Sequence, residues 1–350
     1  MKQASKLKFK DIVKIKDDNV HWDRRKCFSY NCFYNQITGG RGIGKTTNLC
    51  LYGILNCDKG HEFIYVRRYT KECKEFVGKD SLAPILDGVI YKPDGTGGYT
   101  IMWEDRKLGY IIPLSIARNY KSVDFSKVTT FIYDEAIVMQ TLNYRYLTNE
   151  VTQLLEFVST VQRTRTNLKV FLLGNNEDEF SPYNAFFKIP VFERIYVDKK
   201  RNLYCEKAEH SKALLELEKK TGLWALTHDT SYGEYHYENK NIKGENYNIC
   251  EKPATCRLVF KLVLEGETLF VNTFENKGDV MLYCYRKEFK DSHKDTITYT
   301  IVQNGEINYL DVDLFKVRLR RYLYIFYFNK KIYYDDSRSG AIIKYVIESI

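Results

Sequence analysis

An α/β fold built on a largely parallel sheet is what this 350-residue sequence predicts. Three observations carry the expectation. Strand-like and helix-like segments alternate between residues 28 and 197, the pattern of crossover-linked parallel strands. A glycine-rich loop, Gly39-Gly40-Arg41-Gly42-Ile43-Gly44-Lys45-Thr46-Thr47, stands between an apolar run and a helical one. A second apolar run, Thr129 to Tyr133, ends in the paired carboxylates Asp134-Glu135.

The elements follow in order. Residues 1–27 carry Lys2, Lys6, Lys8, Lys10, Lys14 and Lys16 between single apolar residues, without the apolar core of a signal peptide, and read as a loosely held basic arm, with a docked strand as the alternative. Asn31 to Thr38 is a buried strand, and Asn48 to Leu55 the helix beyond the glycine loop. Glu62 to Arg68 is a second strand, followed by a helical stretch from Thr70 to Val77. Val89 to Ser115 reads as a hairpin or meander with turns at Pro93–Gly98 and Glu104–Lys107. From Asn149 to Gln162, apolar Val151, Leu154, Leu155, Val158 and Val161 recur at helical spacing. Lys169 to Leu173 is a further strand, ending at Gly174-Asn175. Residues 28–197 thus form one domain. Residues 198–228 are charged, include a helical stretch over Lys207–Lys220, and read as a linker. Residues 229–350, with short strands and Gly or Asn turns, read as an α+β C-terminal domain.

Composition narrows the class. A chain of this length holds about two domains. Hydrophobic residues at 44% and charged residues at 28% exclude a disordered, collagen-like or coiled-coil protein. No apolar run approaches the roughly 18 residues of a membrane span. The excess of 54 Lys+Arg over 45 Asp+Glu, net +9, suits a polyanionic partner without requiring one. The nine cysteines are irregularly spaced, with no Cys-x-x-Cys pair and no zinc-finger spacing, as in a reduced cytosolic protein.

Two motifs carry chemistry. Gly39-x-x-x-x-Gly44-Lys45-Thr46 has the form of a Walker A phosphate loop, here between a strand and a helix. Residues 39–47 would wrap the phosphates of ATP, with Lys45 reaching the β- and γ-phosphates and the Thr46 hydroxyl ligating Mg2+. The plainer alternative is a glycine turn with a surface lysine. Asp134-Glu135 has Walker B form: Asp134 would hold the Mg2+ and Glu135 would act on the attacking water as general base. An ordinary solvated strand end is the other reading. The strand between the two motifs and the strand-end glutamate point to the additional-strand, catalytic-glutamate type of P-loop ATPase. No Asn-Lys-x-Asp element marks a GTPase. Asn175 is placed either as a γ-phosphate sensor or as a turn residue. Arg163 and Arg165 follow a helix, where arginine serves as a finger in trans or simply answers the helix dipole.

An ordered series of motifs resembles one family. It runs from the glycine loop through Glu62-Phe63-Ile64-Tyr65-Val66-Arg67-Arg68-Tyr69, Ile112-Pro113-Leu114-Ser115, Asp134-Glu135, Asn149-Glu150-Val151 and Thr160-Val161-x-Arg163-x-Arg165 to Asn175, Pro182-Tyr183 and Tyr232-Gly233-Glu234. This series is similar to that of the genome-packaging ATPases of small podophages, the phi-29-like encapsidation proteins. The resemblance covers about residues 33–279 and is patchy after Pro190. It implies a double-stranded-DNA translocase working as a homopentameric ring on the capsid portal, in the host cytoplasm. Some members also dock on a scaffold RNA. It implies an N-terminal ATPase, a helical linker, and a C-terminal domain like an RNase H-type nuclease that has lost activity. By position Arg163 matches a trans-acting arginine finger and Lys121 a second trans-acting basic residue. Arg67 and Arg68 are expected near nucleotide or subunit contacts. Lys71 lies near a DNA-touching pore lysine, although the surrounding Tyr69-Thr70-Lys71-Glu72 departs from the family pattern.

Read on its own, the C-terminal region offers Glu234, Asp279 and Asp311, with no spacing that marks a two-metal nuclease; none is expected. The basic-aromatic stretch Phe315 to Tyr322 places Arg318, Arg320 and Arg321 either on nucleic-acid phosphates or on a solvated face. Two other functions fit the motifs: a nucleotide-binding assembly or regulatory protein with little turnover, and a different DNA-pumping ring.

Overall fold

The computed structural model describes residues 7–15, 20–138, 146–147, 149–175, 181–190, 192–230, 233, 236–237, 247–264, 267–286, 296–300 and 309–349. The chain forms two compact units. The first comprises residues 1–139, 146–178 and 192–242; the second comprises 140–145, 179–191 and 243–350. The expected boundaries near 197 and 228 are therefore displaced: what reads as a linker is built into the first unit, and a short piece before it joins the second.

The N-terminal arm is not loose over its described residues. Helix α1 (Phe9–Ile12) buries Phe9 completely against the Trp103 ring, and Lys14 donates its backbone N–H to Ile85. Helix α2 (Arg24–Ser29) is capped by Asp23, and its buried Arg24 donates to Asn48. Single apolar side chains between lysines anchor the arm while the lysine heads stay in water.

Strand β1 (Tyr34–Gly39) feeds the glycine loop, from which helix α3 (Lys45–Asn56) emerges. The helix starts three residues earlier than its apolar pattern, because the loop glycines lead straight into its first turn. Strand β2 (Glu62–Arg67) and helix α4 (Thr70–Gly78) follow, then a meander of β3 (Val89–Pro93), β4 (Tyr99–Trp103) and β5 (Arg106–Pro113). Strand β6 (Val128–Ile137), helix α5 (Glu150–Gln162) and strand β7 (Lys169–Gly174) come next. Helix α6 (Pro182–Phe186) lies in the second unit. Strands β8 (Ile195–Asp198) and β9 (Leu203–Ala208) return to the first, and short helices α7 (Lys212–Glu218) and α8 (Gly222–Thr227) close it.

The nine strands form one sheet in the order β3-β4-β5-β2-β6-β7-β1-β9-β8. The run β5-β2-β6-β7-β1-β9 is parallel throughout, and the edges are antiparallel. Central strands β1 and β2 are buried along almost their whole length, as crossover helices on both faces demand. The strand inserted between the glycine-loop strand and the carboxylate strand is β7. The sequence reading points to β2, which intervenes in the chain but lies on the outer side of β6.

The second unit holds a seven-stranded sheet, β10 (Asn248–Ile249), β11 (Arg257–Leu264), β12 (Glu267–Asn276), β13 (Asp279–Arg286), β14 (Thr298–Thr300), β15 (Tyr309–Asp311) and β16 (Ile332–Tyr334), with helices α9 (Val312–Phe328) and α10 (Ser337–Ser349). Its order is β10-β16-β13-β12-β11-β14-β15. Leu319 and Leu323 of α9 and Ile342, Ile343, Val346 and Ile347 of α10 share a core with β11–β13. Among the described residues, no helix is long and apolar enough to cross a membrane.

Candidate active site

The site lies at the carboxyl edge of the parallel strands, where open α/β sheets bind ligands. Gly44 adopts φ +84°, a conformation closed to most residues, and turns the loop into α3. Lys45 is buried, and its Nζ donates to Gly39 O at 2.9 Å and Gly40 O at 2.8 Å, so the ammonium lies inside the loop. The arm reaches this loop too: Trp22 donates its backbone N–H to Ile43 O, and its indole donates to the buried Glu206 of β9. Arg41 is exposed beside it and Ile43 is buried.

One residue past the lysine, the Thr46 hydroxyl donates to Asp134 Oδ1 at 3.0 Å, joining the two motifs directly. Tyr65 donates to the other carboxylate oxygen at 2.7 Å. The carboxylate pair does not end its strand. Strand β6 runs on to Ile137, but its register against β7 slips between Tyr133 and Ile137, so Asp134 to Ala136 bulge out of the ladder. Glu135 sits there at φ +52°, a backbone strain of about 1–3 kcal/mol. A bulge re-aims side chains, and this one lets two adjacent carboxylates serve one site where a flat strand would send them to opposite faces. Glu135 accepts from Arg67 Nη2 at 2.5 Å, and Arg67 also lies 3.6 Å from Asp134 and 3.4 Å from Glu72. Burial pushes the Glu135 carboxyl above its ordinary range, against the pull of Arg67.

Arg67 and Arg68 part company. Arg67 faces the carboxylates, near the nucleotide position expected of it. Arg68 is completely buried and does not reach the site: it clasps Glu150 of α5 at 2.6 and 2.9 Å and donates to the carbonyls of Glu135 and Ala136. Its neighbour Tyr133 donates to the same glutamate. Arg68 is therefore a clamp that holds the strained bulge, not a nucleotide or subunit contact. Successive strand residues point to opposite faces, which is why adjacent arginines have such different surroundings.

Asn175 follows β7 immediately, at the same edge. Gly174 before it packs so close to β6 that a Cβ there would lie 2.6 Å from the Ile137 Cβ. Arg163 lies elsewhere. It is the exposed C-cap of α5, at φ +50°. Helix α5 begins beside the carboxylate bulge, through the Glu150–Arg68 pair, and 13 residues carry its far end about 20 Å away. Arg165 is pinned there, donating to the carbonyls of Ser126 and Val128 at the start of β6. Lys121 is exposed at the end of a 3-10 turn over Leu114–Tyr120. Lys71 projects from the first turn of α4 with 86% of its side chain exposed.

In the second unit Arg318 and Arg321 are exposed on α9 and Arg320 is half-buried. The two candidate nuclease carboxylates on described residues are not brought together. Glu234 lies outside the described residues. Asp279 opens β13 and pairs with Lys331 at 3.0 Å. Asp311 ends β15, four strand spacings away in the sheet order, or about 19 Å.

Tyr65, Glu72 and Glu150 are site residues that the motif reading misses. The signal for Tyr65 is present, since it shares a strand face with Arg67 two residues on. Glu150 lies on a different element; the ordered series contains it in Asn149-Glu150-Val151 but gives it no role.

The fold and the site define an α/β protein with a glycine loop between strand and helix, whose acidic strand is separated from its loop strand by one inserted strand. Comparison with known proteins takes this further. Residues 16–335 match the family described as podovirus DNA encapsidation protein (Gp16), and the chain belongs to that family. It is 29% identical over 274 residues to the DNA packaging protein of Bacillus phage phi29, spanning 75% of this chain and 78% of that protein. It is 30% identical over 244 residues to the DNA packaging protein of Bacillus phage B103, spanning 68% and 73%. Among solved structures, the bacteriophage Phi-29 viral genome packaging motor assembly aligns at TM-score 0.62 and 25% identity, over 93% of this chain and 98% of that one. The Phi-28 gp11 DNA packaging motor has the same fold, at TM-score 0.67 and 17% identity over 94% and 97%. The chain is a DNA encapsidation protein of a phage packaging motor.

Proposed function

We propose that this chain hydrolyses ATP to drive double-stranded DNA into a procapsid, as one subunit of a homopentameric ring docked on the portal. The observation that carries the reading is the network Thr46–Asp134–Tyr65 and Arg67–Glu135 at one edge of the sheet, with Arg163 a helix length away from it. The family membership supports the DNA substrate, and the resemblance to motor assemblies supports the ring.

The residues fit ATP and Mg2+. Glycine at strained positions, a buried lysine and a helix N-terminus make an anion cradle. A hydroxyl and a carboxylate 3.0 Å apart are hard oxygen donors of the kind Mg2+ takes. Bound there, the ion neutralises phosphate charge. Thr46 and Asp134 would hold it, Lys45 would bind the terminal phosphates, and Tyr65 would orient Asp134. Glu135 is the base: its carboxylate accepts the proton of the attacking water, and Arg67 holds it in position until then. Asn175 reads the γ-phosphate. Arg163 serves the neighbour's site, since its own is out of reach, and Lys121 joins it. Lys71 and the exposed arginines Arg318 and Arg321, with Arg320, meet DNA phosphates without reading sequence.

The second unit supports an RNase H-type domain without nuclease function. Its antiparallel β11-β12-β13 meander is extended by β14 and β15, parallel to β11, giving the order 3-2-1-4-5 counted from β11. Strands β11 and β14 carry no carboxylate to hold metals, and the middle of β11 bears the buried Lys261 instead.

The test is ATP hydrolysis by the purified chain with and without long double-stranded DNA, alongside Glu135→Gln. Stimulation by DNA that fades with salt and vanishes in the variant is the expected result. Turnover indifferent to DNA both alone and on the portal, or unchanged by the substitution, would overturn it in favour of a regulatory nucleotide-binding protein.

A further inference from the structure

A second cluster of ligand-type side chains leans on the phosphate loop from behind. His210 follows β9, Glu218 ends α7, and His236 comes from the segment beyond α8, all in the first unit. One donor atom from each lies within 4.8 Å of the others. His210 Nε2 is 3.6 Å from Glu218 Oε1, and His236 Nε2 is 3.9 Å from the same oxygen. Bonds of about 2.0–2.2 Å in a tetrahedral site set neighbouring ligands about 3.3 Å apart. The two histidine–glutamate separations are already within about 0.6 Å of that spacing.

The second observation is the state of His210. Its side chain is fully buried, yet neither ring nitrogen has a hydrogen-bond partner among the described residues. A neutral imidazole carries one donor and one acceptor, and burying both unanswered is destabilising. Glu218 Oε2 is likewise buried without a hydrogen bond. Native structures seldom leave several polar atoms of one cluster in this state, and a bound ion is a standard resolution.

The surroundings favour a retained ion. The Tyr237 ring lies 6.4 Å from the His210 ring and packs on Trp224 at 4.4 Å, screening one side. A Cβ on Gly40 would fall 2.5 Å from His210 Cε1 and 2.9 Å from the His236 carbonyl. Gly40 is thus small because this cluster rests on it, a reason separate from any phosphate contact. Two imidazoles and one carboxylate form a borderline nitrogen–oxygen donor set, suited to zinc, cobalt or nickel and not to Mg2+, which prefers an all-oxygen shell.

We propose that His210, Glu218 and His236 bind one first-row transition-metal dication of the zinc class, with water as the fourth ligand, and that the ion staples the helices after β9 to the phosphate loop. The site is separate from the one formed by Thr46 and Asp134. It ties the start of the second half of the chain to Gly40, so movement of the loop is passed to α7 and α8.

The test uses the full chain, stripped of metal by chelation and dialysis, and Co2+ as the probe. About one Co2+ per chain is expected, giving visible ligand-field bands without the near-ultraviolet thiolate-to-cobalt band that the nine cysteines would produce. Zn2+ should displace it and millimolar Mg2+ should not. His210→Asn should weaken binding at least about tenfold. Glu218→Gln, at a half-buried position that tolerates the amide, should do the same while keeping the metal-free melting temperature of the wild type. Zn2+ should raise the melting temperature of the wild type and leave that of Glu218→Gln unmoved. The proposal falls if no band develops by about 100 µM Co2+, an affinity too weak for a staple. It falls equally if the band is of thiolate type, or if the folded Glu218→Gln chain binds Co2+ as the wild type does.

Discussion

The two ends of the large sheet treat charge differently. At the carboxyl edge, Lys45, Arg67, Asp134 and Glu135 are engaged with the loop and with one another, and Thr46 and Tyr65 complete the set. At the opposite edge, Arg165 is spent on backbone carbonyls while Arg163, two residues before it, is left exposed on a strained cap. The contrast teaches that the first edge holds a set of groups able to bind and polarise, and that the second presents an exposed cation. A ring that brings the far end of one subunit to the near end of the next resolves the difference.

The largest effect should come from the near edge. Lys45→Ala or Glu135→Gln should lower ATP turnover by about 10²–10⁴-fold, with the folded state retained in circular dichroism. If either variant keeps wild-type turnover on the portal, the near edge is not the catalytic one. Next comes the far edge. Arg163→Ala should cost about 10³-fold in the assembled motor, and mixing it with Glu135→Gln subunits should give activity that depends on the mixing ratio, as a shared site requires. Arg165→Ala, by contrast, should act on melting temperature and not on the ratio dependence; equal behaviour of the two arginines would erase the distinction.

Third in size is the clamp behind the bulge. Arg68→Ala leaves the buried Glu150 without its cation and should cost about 3–5 kcal/mol, read by denaturant unfolding of the full chain. Arg67→Ala, one residue away, should change stability far less, because Arg67 serves the site. Its signature is in pH. Burial already raises the Glu135 pKa, and the Arg67 cation opposes that rise. A base works only when deprotonated, so the acid limb of the pH–rate profile should lie above the usual carboxylate range. It should move further up in Arg67→Ala. A downward shift would show that Arg67 does not hold the base.

Much of the near edge is legible in the sequence because local chemistry dictates it. Glycines at the loop, the lysine and threonine that start α3, and an apolar strand running into two carboxylates are contiguous signals. So are the strand β2, the meander and α5, whose periodicities match the structure within a few residues. The ordered motifs lead as directly to the family, which the match over residues 16–335 establishes.

What the chain alone leaves open is set by partners distant in sequence. Strand β7, not β2, enters between the two motif strands, since strand order depends on crossovers and not on chain order. The β6 bulge that aims Glu135 shows only as a register slip against β7. Arg67 and Arg68 look equivalent as letters; alternation separates them, and Glu150, 82 residues from Arg68, turns one into a structural clamp. The arm reads as loose because lysines dominate its composition, but a buried Phe9 and a docked Trp22 outweigh them. His210, Glu218 and His236 have no motif spacing at all. Local propensity and pattern determine which elements form and which groups the loop presents, since those depend on neighbours along the chain. Burial, pairing and strain depend on what the fold brings across it, and only the tertiary structure decides them.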